Sequence, residues 1–151
     1  MIQVVLLTCF LVITAIVLLI AYICYRMAFY SDRRPNPNAE EYSIPEGEIY
    51  EPFRDQMIQW IKEARAMPHE DVSIQSFDGL TLRGKWVPAE NPKATIILFH
   101  GYHTHYIHDF AGIFSMYRSI GLNLLLVRQR SHGESGGKYI TFGVRERKDV
   151  L

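Results

Sequence analysis

The chain has 151 residues, room for about one domain. Its 16 Lys and Arg balance 16 Asp and Glu, so there is no net field to hold nucleic acid or draw an acidic partner. Cys9 and Cys24, the two cysteines, both fall in the amino-terminal apolar run. The rest of the chain therefore has no disulfide framework, thiolate nucleophile or Cys-based zinc site.

Residues 2–25 carry no charge. A helix of that length reaches about 36 Å, enough for a hydrocarbon core of about 30 Å. A cleaved signal peptide fits less well. No Lys or Arg precedes the run, it exceeds the usual apolar core of such peptides, and Ala21-Tyr-Ile-Cys-Tyr-Arg26 offers no small-residue cleavage site. Residues 1–26 are thus expected to form a single-pass transmembrane helix in contact with the lipid bilayer. Tyr22, Tyr25, Phe29 and Tyr30 would form its interfacial belt. Arg26, Arg33 and Arg34 follow the span, which places the remainder in the cytoplasm by the positive-inside bias.

Residues 27–48 form a linker, polar and turn-rich at Ser31-Asp-Arg-Arg-Pro-Asn-Pro-Asn38. Within 49–70, apolar residues from Tyr50 to Ala64 recur at helical spacing among charges of both signs. This predicts an amphipathic helix that packs on a sheet, with Pro52 in its first turn and Pro68 ending it. The mixed-sign polar face argues against a helix lying on the membrane.

From Asp71 the period shortens to two. Val72 and Ile74, the Asp78-Gly79 turn, then Leu80, Leu82 and Gly84 to Val87 predict a β-hairpin. Ala94 to Phe99 is an apolar run of the kind buried on both faces. His108 to Gly121 has helical spacing, with Gly121 as its stop. Leu122 to Val127 is a second buried run, so the order strand, helix, strand predicts a βαβ crossover and a partly parallel sheet.

The sequence at the ends of these strands is specific. His100-Gly101-Tyr102 resembles the His-Gly-X loop of the α/β-hydrolases. Arg128-Gln-Arg-Ser-His-Gly-Glu-Ser135 is similar to that family's Asp-X-Arg-Gly-His-Gly-X-Ser loop: Arg130, His132, Gly133 and Ser135 match, while Arg128 and Ser131 depart. Arg128 takes the place of the acid on which the family's charge pairing at this position would rest, which leaves that role open and does not touch the nucleophile argument. The hairpin at 72–84 and the segment 140–149 also match in order, so the resemblance covers about residues 45–151. It is nearest to bacterial membrane-anchored members of peptidase or esterase type.

The resemblance implies an α/β fold: residues 71–151 as the amino-terminal half of an α/β-hydrolase, hairpin then βαβ, preceded by one transmembrane helix. It implies that the Tyr102 N–H is one oxyanion donor, with Gly101 sparing the approach a Cβ. His100, Gly101, Arg130, His132, Gly133 and Ser135 would support the active-site loops. Nucleophile, acid and catalytic His would follow Leu151, making this an amino-terminal piece of a serine hydrolase, itself inactive. The complete enzyme would act on an ester, amide or thioester in a small molecule or peptide, without a cofactor.

Two other patterns invite different chemistry. Gly133-Glu-Ser-Gly-Gly137 fits G-x-S-x-G, but no strand runs directly into it and no apolar helix follows, so Ser135 is not expected to be a nucleophile. His103-Thr-His-Tyr-Ile-His108 approaches a zinc signature, but Ile107 stands where an acid is needed; with His100 it would serve a metal-dependent hydrolase only if ligands came from elsewhere. A membrane-tethered binding module without catalysis is the remaining alternative.

Overall fold

A computed structural model describes residues 1–31, 42 and 44–150. Most of the polar linker, with Arg33 and Arg34, lies outside the described residues, as does Leu151. Helix α1 (Ile2–Phe29) runs past Arg26 to Phe29 and none of its residues is buried. It is long and apolar enough to cross a membrane, a test that an amino-terminal signal sequence also passes.

A 3-10 turn at Glu51–Phe53 leads into α2 (Arg54–Ala66). Pro52, lacking an N–H, occupies the entry turn, and the α-helix proper starts later than the spacing suggests. Strands β1 (Glu70–Gln75) and β2 (Thr81–Val87) form the hairpin. Gly79, at φ +81°, makes its turn, and the Ser76 N–H bonds the Leu80 carbonyl at 2.8 Å. Then come β3 (Ala94–Phe99), α3 (Tyr106–Ser119) and β4 (Leu122–Arg128). The sheet order is β1-β2-β4-β3; β3 and β4 are parallel and the other pairs antiparallel. The hairpin and the βαβ crossover are thus both present.

Helix α3 begins two residues before His108. His105 is the N-cap, its Nδ1 accepting the His108 N–H at 3.3 Å, a capping role that the usual Ser, Thr, Asp and Asn signals do not announce. Gly121, at φ +88°, follows the helix's end.

Helices α2 and α3 cover one face of the sheet. Ile61, Ala64, Phe114, Leu98, Leu124 and Leu126 lie in the resulting core; fully burying a side chain such as Phe114 or Leu124 contributes about 2–3 kcal/mol. The period of two sends Ile97, Phe99, Leu125 and Val127 to the other face, where they line an apolar trough of about 650 Å³ with Val72 and Ile74. This corrects the expectation for β3. Among the described residues it is an edge strand on which only Leu98 is buried, because on the second face only the segment 143–150 lines the trough and no α-helix packs there.

Candidate functional site

The site gathers at the carboxyl ends of β3 and β4, where open α/β sheets bind their ligands. His100 is buried just past β3. Its Nδ1 lies 2.9 Å from the Gly101 carbonyl, so that nitrogen carries the proton and Nε2 accepts the Gln129 N–H at 3.4 Å. The Gln129 side chain donates to the His100 carbonyl, stitching the two loops together.

Asp109, in the first turn of α3, orders the 100–105 loop. Its carboxylate accepts the Gly101 N–H at 2.7 Å and the Thr104 hydroxyl at 2.6 Å, and stands 3.0 Å from His108 Nδ1. Burial pushes the Asp109 pKa up, but the bonds from Gly101, Thr104 and His108 outweigh it and hold the group below its ordinary value. A Cβ at Gly101 would press on the Thr104 methyl at 3.2 Å, so Gly101 fits the loop's own crowding. The Tyr102 N–H has no acceptor among the described residues.

The loop after β4 packs beside it. Its backbone passes through two left-handed residues, Ser131 at φ +66° and Gly133 at φ +52°. Ser131 holds a conformation natural to glycine by donating its hydroxyl to the Tyr139 carbonyl at 2.8 Å and its N–H to Gly136 at 2.8 Å. At Gly133 a Cβ would stand 3.2 Å from the Arg128 side chain. That side chain pairs with Glu134 and reaches the Tyr106 hydroxyl at 3.3 Å. Position 128 therefore does take part in a charge pair, as the cation, and the acid stands six residues further on, within the loop.

Ser135 is fully buried and its hydroxyl is committed. It donates to the Arg128 carbonyl at 2.5 Å and accepts the Arg83 N–H at 2.8 Å, joining β4 to β2. Arg130 turns away from Tyr102. It is 2% exposed and binds Asp149, Asp78 and Ser76, with Phe77 beneath its guanidinium. Asp78 and Asp149 were visible in the sequence as a turn residue and a terminal acid; nothing in their spacing marked them as partners of Arg130.

His132 sits across from His100, ring centroids 4.6 Å apart. Its Nδ1 faces the Arg130 carbonyl at 3.0 Å, while Nε2 is buried with no hydrogen-bond partner among the described residues. Burial lowers the pKa of both imidazoles, keeping them neutral at pH 7. From His132 the aromatic contacts continue to His103 (6.4 Å), Tyr102 (4.1 Å) and Phe142 (5.2 Å). His103 and Phe142 also have left-handed backbones, at φ +54° and +48°, so strain collects around this rim. His105 and His108 are engaged with α3 and Asp109 instead. Among the described residues no three His, Cys, Asp or Glu side chains converge as metal ligands.

The arrangement can present a backbone N–H to a developing oxyanion beside two neutral imidazoles. No family model matches the chain. The protein YqkD of Bacillus subtilis is 30% identical over 77 residues, 51% of this chain and 25% of that one. An esterase of Pyrococcus furiosus, Pf2001, superposes with a TM-score of 0.51 at 32% identity, over 59% of this chain and 35% of the esterase. DcsB, solved with a substrate analogue, gives 0.50 at 22% identity over 55% of this chain and 29% of its own, a likeness of fold alone. The chain thus spans about a quarter to a third of the length of these relatives. Its sheet and crossover have the α/β-hydrolase fold.

Proposed function

We propose that this chain is the amino-terminal part of a membrane-anchored, serine-type α/β-hydrolase that cleaves an ester, amide or thioester. Helix α1 is the anchor. Tyr102 supplies one oxyanion donor through its backbone N–H, and the residue after the nucleophile supplies the other. A serine beyond Leu151 attacks the carbonyl, a histidine takes its proton, and an acid orients that histidine. His100 and Asp109 position the Tyr102 loop, and His132 packs beneath it.

The observation that carries this reading is the Tyr102 amide. It stands at the carboxyl end of β3, in a loop pinned by Asp109, with no protein acceptor among the described residues. The open apolar face of the sheet supports it as well, since a complete α/β fold covers both faces.

The test is to read the coding sequence past Leu151 and to treat the membrane-bound product with a serine-directed fluorophosphonate. A continuing frame with G-x-S-x-G after an apolar strand, and labelling that persists in chelator, are expected. A stop codon directly after Leu151 would sink the enzymatic reading and leave a tethered binding module. Activity abolished by chelator but untouched by the phosphonate would favour a metal-dependent hydrolase.

A further inference from the structure

The aromatic contacts that start at His100 continue into the anchor. The Phe142 ring meets Phe29 edge-on at 5.3 Å, and Tyr139 lies against Tyr30 at 5.6 Å and Tyr25 at 6.2 Å. The Tyr102 hydroxyl donates to the Ala28 carbonyl at 2.8 Å. Backbone joins the two parts as well: the Ile140 N–H bonds Phe29 at 2.8 Å and the Ser31 N–H bonds Lys138 at 3.0 Å. The anchor therefore ends against the same edge of the sheet that carries the Tyr102 loop.

Depth follows from the helix rise. Arg26, stacked 3.6 Å over Tyr30, is the first charge after the apolar run. Ala28 and Phe29 lie only about 3–5 Å further along the axis, within a headgroup layer about 5–7 Å deep on each side. Tyr102, Phe142 and Val144 are 50%, 59% and 66% exposed on this edge, an apolar rim flanked by the exposed Lys138 and by Arg145, which is 3.9 Å from Asp78 and still largely exposed. The opposite end of the sheet has another character: Glu90, Lys93 and Arg118 line it. Aromatic groups with basic neighbours are the composition of a surface that rests on anionic lipid headgroups.

We propose that the carboxyl edge of the sheet rests on the bilayer, and that the substrate is a carboxylic ester of a membrane lipid, taken from the leaflet along Phe142 toward the Tyr102 N–H. The orientation stands on the geometry; the substrate class rests on the hydrolase reading above. In that reaction the acyl C–O bond breaks, water supplies hydroxyl to the acyl carbon and a proton to the departing alkoxide, and a fatty acid and an alcohol leave.

Orientation is tested on the full chain with Cys9→Ala and Cys24→Ala, in phosphatidylcholine–phosphatidylglycerol vesicles. A single cysteine, Val144→Cys or Gln59→Cys, carries a bimane label. The label at 144 should lose most of its emission to a lipid with a shallow nitroxide and resist aqueous iodide, and the label at 59 should do the reverse. Iodide quenching at both positions, with none from the nitroxide lipid, would overturn the proposal. Substrate class is tested on the complete gene product with a diacyl lipid in vesicles and a soluble short-chain ester. Faster turnover of the vesicle ester is expected. Phosphonate labelling with turnover of the soluble ester alone would overturn the substrate class and keep the hydrolase. Failure of labelling, with the label at 144 still lipid-quenched, would remove the hydrolase and keep the orientation.

Discussion

Arg130 grips Asp149 with a two-pronged bond, Nε to Oδ2 at 2.7 Å and Nη2 to Oδ1 at 2.6 Å. Its remaining prong holds Asp78 at 2.9 Å, so one buried cation ties the hairpin turn to the segment after the β4 loop. Bonding to Asp149 is the main cause that raises the guanidinium pKa, and Arg130 in turn lowers that of Asp78. Arg130→Met would leave two carboxylates facing a gap and should cost about 3 kcal/mol. Arg130→Lys keeps the charge, loses the fork, and should recover only part of this. Urea titration of the full chain in detergent, followed by Trp60 and Trp86 fluorescence, measures both.

Stability should depend on pH in two steps. Burial lowers the pKa of His100 and His132 below the ordinary 6.5. The unfolded chain therefore takes up protons first: this contribution is complete above pH 6.5 and is lost as pH falls through the depressed values. A second loss comes below about pH 4, where Asp78, Asp109 and Glu146, all held low in the fold, must protonate. Urea midpoints measured from pH 8 to pH 3 should be flat, then fall twice. His132→Asn should shrink the first fall and leave the second; an unchanged first fall would contradict the assignment.

Ser135→Ala separates structure from chemistry. Losing the hydroxyl strands the Arg83 N–H and the Arg128 carbonyl, and should cost about 2 kcal/mol. On the hydrolase reading proposed above, the complete gene product carrying this variant should still react with a serine-directed phosphonate. Abolished labelling in a folded protein would identify Ser135 as the nucleophile.

Gly84 tests the pairing of β2 with β4. A Cβ there would stand 2.8 Å from the Leu126 carbonyl oxygen, backbone that cannot swing aside. Gly84→Ala should destabilise the domain by about 1–3 kcal/mol through overpacking, read as a lowered melting temperature by circular dichroism.

The local pattern carried much of the architecture. Asp78-Gly79 announced the hairpin, and two apolar runs around a helical one announced the crossover, because period and turn chemistry are properties of adjacent residues. The partners of Arg130 were not legible. Asp78 is 52 residues away and Asp149 is 19, and no spacing rule links them. Burial of β3 was misread for a related reason: an apolar run reports affinity for cover, and the cover comes from other elements. The docking of Tyr102 on Ala28 was hidden likewise, since a tyrosine after His-Gly looks the same whichever group its hydroxyl meets.

The two borders of the sheet are chemically unlike. β1 opens with Glu70 and Asp71, and every residue on it is exposed; such charges discourage a foreign strand from pairing. Ala94-Thr-Ile-Ile-Leu-Phe99 has no charge at all, and among the described residues it is paired on one side only. An uncharged, unpaired border is a template for self-association. Among the described residues, the border at β3 is therefore open to pairing with the same strand of a neighbouring copy. A high local concentration of copies favours that pairing, so high expression should drive the protein into aggregates seeded at this strand.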